Sequence, residues 1–142
     1  MRLRETRKVD AGAESAFGYT SDFSNIAEWD PGVSRSERVD EGDLGVGSVF
    51  DLDVSFGKST VPMKYEIILF EPGERVVLEG RGSKLHAIDD IRFTPHGNGT
   101  RIDYQADLTF DGLIRFLLPV MGRRLEQVGT KALDGLQRCL NR

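Results

Sequence analysis

At 142 residues the chain has the length of one domain, spanning 1–142, and can bury roughly two-thirds of its unfolded surface without a disulfide or metal. Its 19 Lys and Arg against 23 Asp and Glu leave a formal net charge of −4, which offers no positive footprint for nucleic acid or an anionic bilayer. A 39% hydrophobic, 30% charged composition is that of an ordinary globular protein, and the lone Cys139 with two histidines excludes an internal disulfide and a Cys/His zinc cage.

The N-terminal stretch MRLRETRKVD has no apolar core of a signal peptide, and the apolar runs are too short to span a bilayer. A cytoplasmic protein without membrane insertion is expected, as a monomer or weak homodimer, with no cofactor and no metal.

Leu3 to Val9 alternates weakly, as a partly exposed strand does. Ala13, Ala16, Phe17 and Tyr19 or Thr20 then recur at helical spacing, with Glu14 in the first turn. Asp22 is a good N-cap for a second short helix through Ile26, which must end by Asp30 because Pro31 disfavours the α conformation before it.

From Val33 to Phe110 the period becomes two. Ser48, Phe50, Leu52, Val54 and Phe56 share one face; Met63, Tyr65, Ile67 and Leu69 share the next. Glu71-Pro72-Gly73-Glu74 is a type II turn signal, and Gly82-Ser83 reads as a tight hairpin connection. Leu85, Ala87, Asp89, Ile91 and Phe93 alternate inward, followed by a loop at Pro95–Gly99. Ile102, Tyr104, Ala106, Leu108 and Phe110 make the clearest inward stripe. Consecutive hairpins imply an antiparallel sheet with one covered face.

The period returns to helical from Gly112 to Leu140, with Leu113, Leu117, Val120, Val128, Ala132, Leu136 and Leu140 near one stripe. Pro119 should kink or restart it, giving a short helix and then a long one from about Val120, with Arg123 and Arg124 on its polar side. The order predicts an α+β fold: a twisted seven-stranded antiparallel sheet wrapped around a long C-terminal helix, with two short helices after the first strand.

This order, together with the segments Asp22–Val33, Gly45-Val46-Gly47-Ser48, Tyr65-Glu66-Ile67 leading to Glu71-Pro72, Ile88–Ile91 leading to Pro95, Gly99-Thr100 and Gly135-Leu136, resembles the START-like (SRPBCC) superfamily. More narrowly it resembles the bacterial polyketide cyclase/dehydrase-type branch. The resemblance implies a START/Bet v 1-like helix-grip fold and a hydrophobic cavity between sheet and helix, entered past the Gly45-Val46-Gly47 loop and the short helices. Fold does not fix function here.

Polar residues at inward positions are the most informative. Tyr65, Asp89 and Tyr104 fall by parity among Phe50, Leu52, Met63, Ile67, Ile91 and Ala106. A carboxylate there is costly unless paired, hydrogen-bonded or protonated. Asp89 therefore reads in two ways: as a ligand-binding or proton-exchanging catalytic group, or as a structural acceptor for Arg7, Arg81 or a tyrosine. A bulge would bring Asp90 inside instead. Trp29 either stacks on a ligand or anchors its helix. From the last helix, Leu117, Met121 and Val128 complete the expected ligand-binding set.

Gly42, Gly45 and Gly47 precede a strand rather than a helix, so they are no phosphate-cradling loop. His86 on the outward parity and His96 in a turn have no nucleophile beside them, and Cys139 reads as an inert thiol. The expected function is binding of a small hydrophobic molecule, lipid-like or aromatic and polyketide-like. The alternative is a cyclase/aromatase- or dehydratase-like enzyme using general acid–base chemistry.

Overall fold

The computed structural model describes the backbone of residues 1–142 and every side chain except those of Leu113, Ile114, Leu117 and Leu118. Strand β1 (Arg2–Val9) leads into α1 (Ala13–Ser21), a 3₁₀ turn (Phe23–Asn25) and α2 (Ile26–Trp29). Six strands follow: β2 (Val33–Arg38), β3 (Val49–Phe56), β4 (Ser59–Glu71), β5 (Arg75–Arg81), β6 (Leu85–His96) and β7 (Gly99–Phe110). A second 3₁₀ segment (Gly112–Leu117) precedes α3 (Leu118–Leu140).

All seven strands form one antiparallel sheet in the order β1-β7-β6-β5-β4-β3-β2. The meander from β2 to β7 is local, and β1 closes it from the far end of the sequence. Local chemistry sets the joints. The Asp22 carboxylate accepts the Ser24 N–H and starts the 3₁₀ turn. Asp30, held extended ahead of Pro31, ends α2. Gly73 takes φ +76° in the β4–β5 turn, which closes with the Glu74 N–H donating to the Glu71 carbonyl at 3.0 Å.

Two expectations need correction. Pro95 and His96 belong to β6, leaving only Gly97 and Asn98 between strands; the φ of +59° at Gly97 permits so tight a turn. A register shift between Ile67 and Leu69 breaks the expected inward alternation of Met63, Tyr65, Ile67 and Leu69 at its end and lets Phe70 pack edge-on to Phe17. The expected restart at Pro119 is present: the short 3₁₀ segment gives way to α3 at Leu118, and Pro119 sits in the first turn, where a missing N–H costs nothing.

The long helix packs mainly against β1 and α2 rather than across the whole concave face. Ala132, Leu133, Leu136 and Leu140 carry that contact and are buried. Gly135 makes the approach possible, because a Cβ there would collide with the Trp29 carbonyl. Val120 is 81% exposed, and Val128, 45% exposed, is a cavity wall rather than part of the sealed core. Leu113 and Leu117 lie outside the described residues.

Aromatic side chains from the short helices fill the rest of the concave face. Phe17 packs on Phe70 and Phe93 at 5.1 and 5.3 Å, and Phe23 on Phe50 and Tyr65 at 6.3 and 5.3 Å between ring centroids.

Candidate functional site

What remains open is a cavity of about 130 Å³ where β1, β7, α2 and α3 meet. Leu3 and Glu5 of β1, Ala106 and Leu108 of β7, and Val128, Gly129, Ala132 and Leu133 of α3 form its walls. Trp29, Asp30, Tyr65, Asp89 and Tyr104 bring polar atoms to it.

Strand register explains the placement. Asp89 lies opposite Ala106, so Tyr104 is its diagonal neighbour on β7, within reach of a long side chain. The Tyr104 hydroxyl donates to Asp89 Oδ2. Tyr65 lies opposite Gly80, and its ring covers the space that a Cβ would take, 2.5 Å from the Tyr65 Cζ. Without a side chain at Gly80 the tyrosine lies down on β5 and keeps its hydroxyl end at the cavity. Trp29 and Tyr104 meet edge to face at 6.2 Å.

Asp89 is inside, 6% exposed, and Asp90 is on the outer face, where Arg75 clasps it at 2.8 and 3.0 Å. Burial pushes Asp89 up to about 7; the Tyr104 hydrogen bond opposes the rise, while the charges of Asp30 and Asp107 add to it. Burial likewise raises Asp30 to about 6 against the Gly32 N–H, which donates to its Oδ1 at 2.8 Å. Asp30 keeps part of its surface in water, which offsets more of its burial than at Asp89. Both phenols are held well above the usual tyrosine range by burial and by Asp89.

Glu5 differs. Its carboxylate accepts from Arg7 at 2.9 Å and from the Thr130 hydroxyl at 2.6 Å, and Arg7 also binds Asp134. Asp30 and Asp89 enter no ion pair among the described residues. The Trp29 Nε1 is buried without a hydrogen-bond partner among them. Such an orphaned group calls for an explanation.

Of the residues expected to bind ligand, Trp29, Tyr65, Asp89, Tyr104, Ala106 and Val128 line the cavity. Phe50, Leu52, Met63, Ile67 and Ile91 do not: they are at most 3% exposed and sealed into the core beneath Phe17, Phe23 and their neighbours. Met121 is half-buried on α3 but outside the lining, and Leu117 lies outside the described residues. Of the expected entrance, the short-helix side borders the cavity, at Trp29 and Asp30, and the glycine loop does not. None of Gly42, Gly45 and Gly47 touches the cavity, and their loop is tied down by Asp40, which accepts from Arg38 and from the Val49 N–H.

Sequence reasoning missed Asp30, read only as the end of α2, and Glu5, whose inward parity beside Leu3 and Val9 was a usable signal. His86, His96 and Cys139 lie away from the cavity. Among the described residues no group of three or more His, Cys, Asp or Glu side chains could hold a metal ion, and no helix is long and apolar enough to cross a membrane.

Solved structures share this architecture at low identity. TTHA0849 of Thermus thermophilus is 16% identical, with a TM-score of 0.80 over 97% of this chain and 95% of its own. The ZhuI aromatase/cyclase of Streptomyces sp. R1128 is 14% identical, with 0.77 over 96% and 91%. A START superfamily protein of Mycobacterium smegmatis is 18% identical, with 0.74 over 99% of each chain. These likenesses show a common helix-grip fold, START/Bet v 1-like. No curated protein sequence matches the chain. The profile of the polyketide cyclase / dehydrase and lipid transport family matches residues 1–140, and the chain belongs to that family.

Proposed function

We propose that the protein binds a small hydrophobic molecule of about one ring, with at least one polar substituent, in the cavity under α3. The observation that carries this reading is the cavity itself, about 130 Å³ with apolar walls and a few convergent polar groups. Its size decides between ligand classes. A dry cavity of about 150 Å³ holds benzene, whereas sites for larger ligands run from about 300 Å³ upward. A single ring fits; an acyl chain does not without opening the β1–α3 seam. Trp29 and Tyr104 offer faces for stacking, and Asp89 and Tyr65 offer hydrogen bonds.

Ligand-detected NMR with uncharged and charged single-ring compounds tests the reading. Ala106→Leu, which extends a wall residue into the void, should weaken binding at least tenfold while the melting temperature moves by about 2 °C or less. If no such compound binds the wild type, or all bind the variant equally, the cavity is not the site.

A second reading, acid–base catalysis in the same cavity, is favoured by Asp30 and Asp89 sitting near neutrality. On a small β-hydroxy ketone, one ionised carboxylate would take the proton α to the carbonyl. The other, protonated, would donate to the departing hydroxyl, which leaves as water. Conversion of 3-hydroxycyclohexanone to the conjugated enone, followed by absorbance and lost in Asp89→Asn, would support it; no turnover at any pH from 5 to 8 would remove it.

A further inference from the structure

We infer that the preferred occupant of the cavity is an organic cation, a small aromatic or alicyclic amine, held with its ammonium between Asp30 and Asp89 and against the aromatic faces beside them. The inference deepens the proposed binding reading and rests on it.

The argument begins with charge. Among the described lining residues there is no Lys, Arg or His, while three are carboxyl-bearing. Glu5 has its own partner in Arg7. Asp30 and Asp89 have hydrogen-bond donors, the Gly32 N–H and the Tyr104 hydroxyl, but no counter-ion. A carboxylate buried without a cation is expensive, and breaking even with burial normally requires a paired charge. The fold retains two in one small void, and an ammonium would complete both.

The neighbours fit the same occupant. Trp29 meets Tyr104 edge to face at 6.2 Å, and both border the cavity, so aromatic surface lies beside the two carboxyls, which favours a cation. The hydroxyl of Tyr65, a lining residue only 8% exposed, can accept one ammonium N–H. A metal ion is the poorer alternative, since the carboxyls do not form a chelating group. A carboxylate or phosphate ligand would meet only like charge.

Protonation gives the inference its signature. The titratable and charged groups around Asp89 are Tyr104 and Asp107 on β7, Tyr65 on β4, Asp30 after α2, and the Glu5–Arg7 pair on β1; α3 contributes only Val128, Gly129, Ala132 and Leu133 to the lining. Burial raises both aspartates toward neutrality, so they become good cation partners only as the pH climbs through about 6 and about 7.

Size-matched probes decide it. Benzylamine, benzyl alcohol and benzoate are titrated into the protein by calorimetry at pH 5 and pH 8. At pH 8 benzylamine should bind at least tenfold more tightly than benzyl alcohol, and benzoate not measurably. At pH 5 the advantage should shrink to about threefold or less. In Asp89→Asn, isosteric and free of the charge, the amine-to-alcohol ratio at pH 8 should also collapse to about threefold or less; Asp30→Asn, which keeps the oxygen facing Gly32, should lower it part of the way. If benzyl alcohol binds as tightly as benzylamine at pH 8, or the ratio survives both substitutions, the cation preference is overturned while the binding reading stands. If none of the three probes binds, the binding reading falls and takes this inference with it.

Discussion

At Asp89 burial and hydrogen bonding act in opposite directions, and burial wins. The folded protein holds this proton more tightly than the unfolded chain, with the folded value near 7 against 3.8. Stability therefore falls as pH rises between about 4 and about 7, the window in which only the unfolded state ionises, and the loss is of order a few kcal/mol. Asp30 adds a smaller slope of the same sign. Asp40 works the other way: Arg38 and the Val49 N–H hold it down to about 2, so its contribution disappears as pH falls below about 4. Thermal unfolding across pH should peak near pH 4–5. Asp89→Asn should melt at least about 5 °C above wild type at pH 8 and close to it at pH 4. A flat difference between the two would contradict a buried, proton-retaining Asp89. Parity along β6 and β7 made Asp89, Tyr65 and Tyr104 legible as inward polar residues. Asp30 was not, because a residue that ends a helix before proline carries no periodicity to show which way it points.

Helix α3 shows how an element's ends and contacts are decided at different levels. Its existence was legible from the 3.6-residue period, and Pro119 placed its start within two residues of Leu118. Val120 was misjudged as part of the buried face, because periodicity does not say how far along a helix the partner reaches. The contact with α2 depends on Gly135, so Gly135→Ala should cost about 1–3 kcal/mol in urea unfolding through the collision with Trp29. Gly122→Ala is the control: only Met1 Cε at 3.9 Å lies near, and the better helix propensity should add about 0.5–1 kcal/mol. Equal effects at both sites would mean that the helix does not approach α2 as described. Hydrogen exchange should show the same division. Amides of residues 121–128, where Val128 is 45% exposed and no described side chain is buried, should exchange at least about tenfold faster than those of 132–140.

At the scale of the molecule, the strand–helices–strands–helix order carried the fold, and the chain's hairpins left little choice of topology. The extent of the empty space was not legible. It depends on Phe17 and Phe23, delivered by short helices from across the chain, plugging most of the groove that alternation alone presents as one continuous apolar floor. What survives as a void is the corner those rings do not reach.

That corner is walled by the first strand and the final helix, fastened by Arg7 to Asp134, Thr130 to Glu5, and Gln137 to the Lys8 carbonyl across more than a hundred residues of sequence. On a ribosome the sheet can pair before α3 emerges, but it then exposes an unroofed oily trough with two bare acids in it. The corner is therefore complete only with the last few turns of synthesis, and a chain stopping short of residue 130 should expose apolar surface and be cut by protease faster than the full chain.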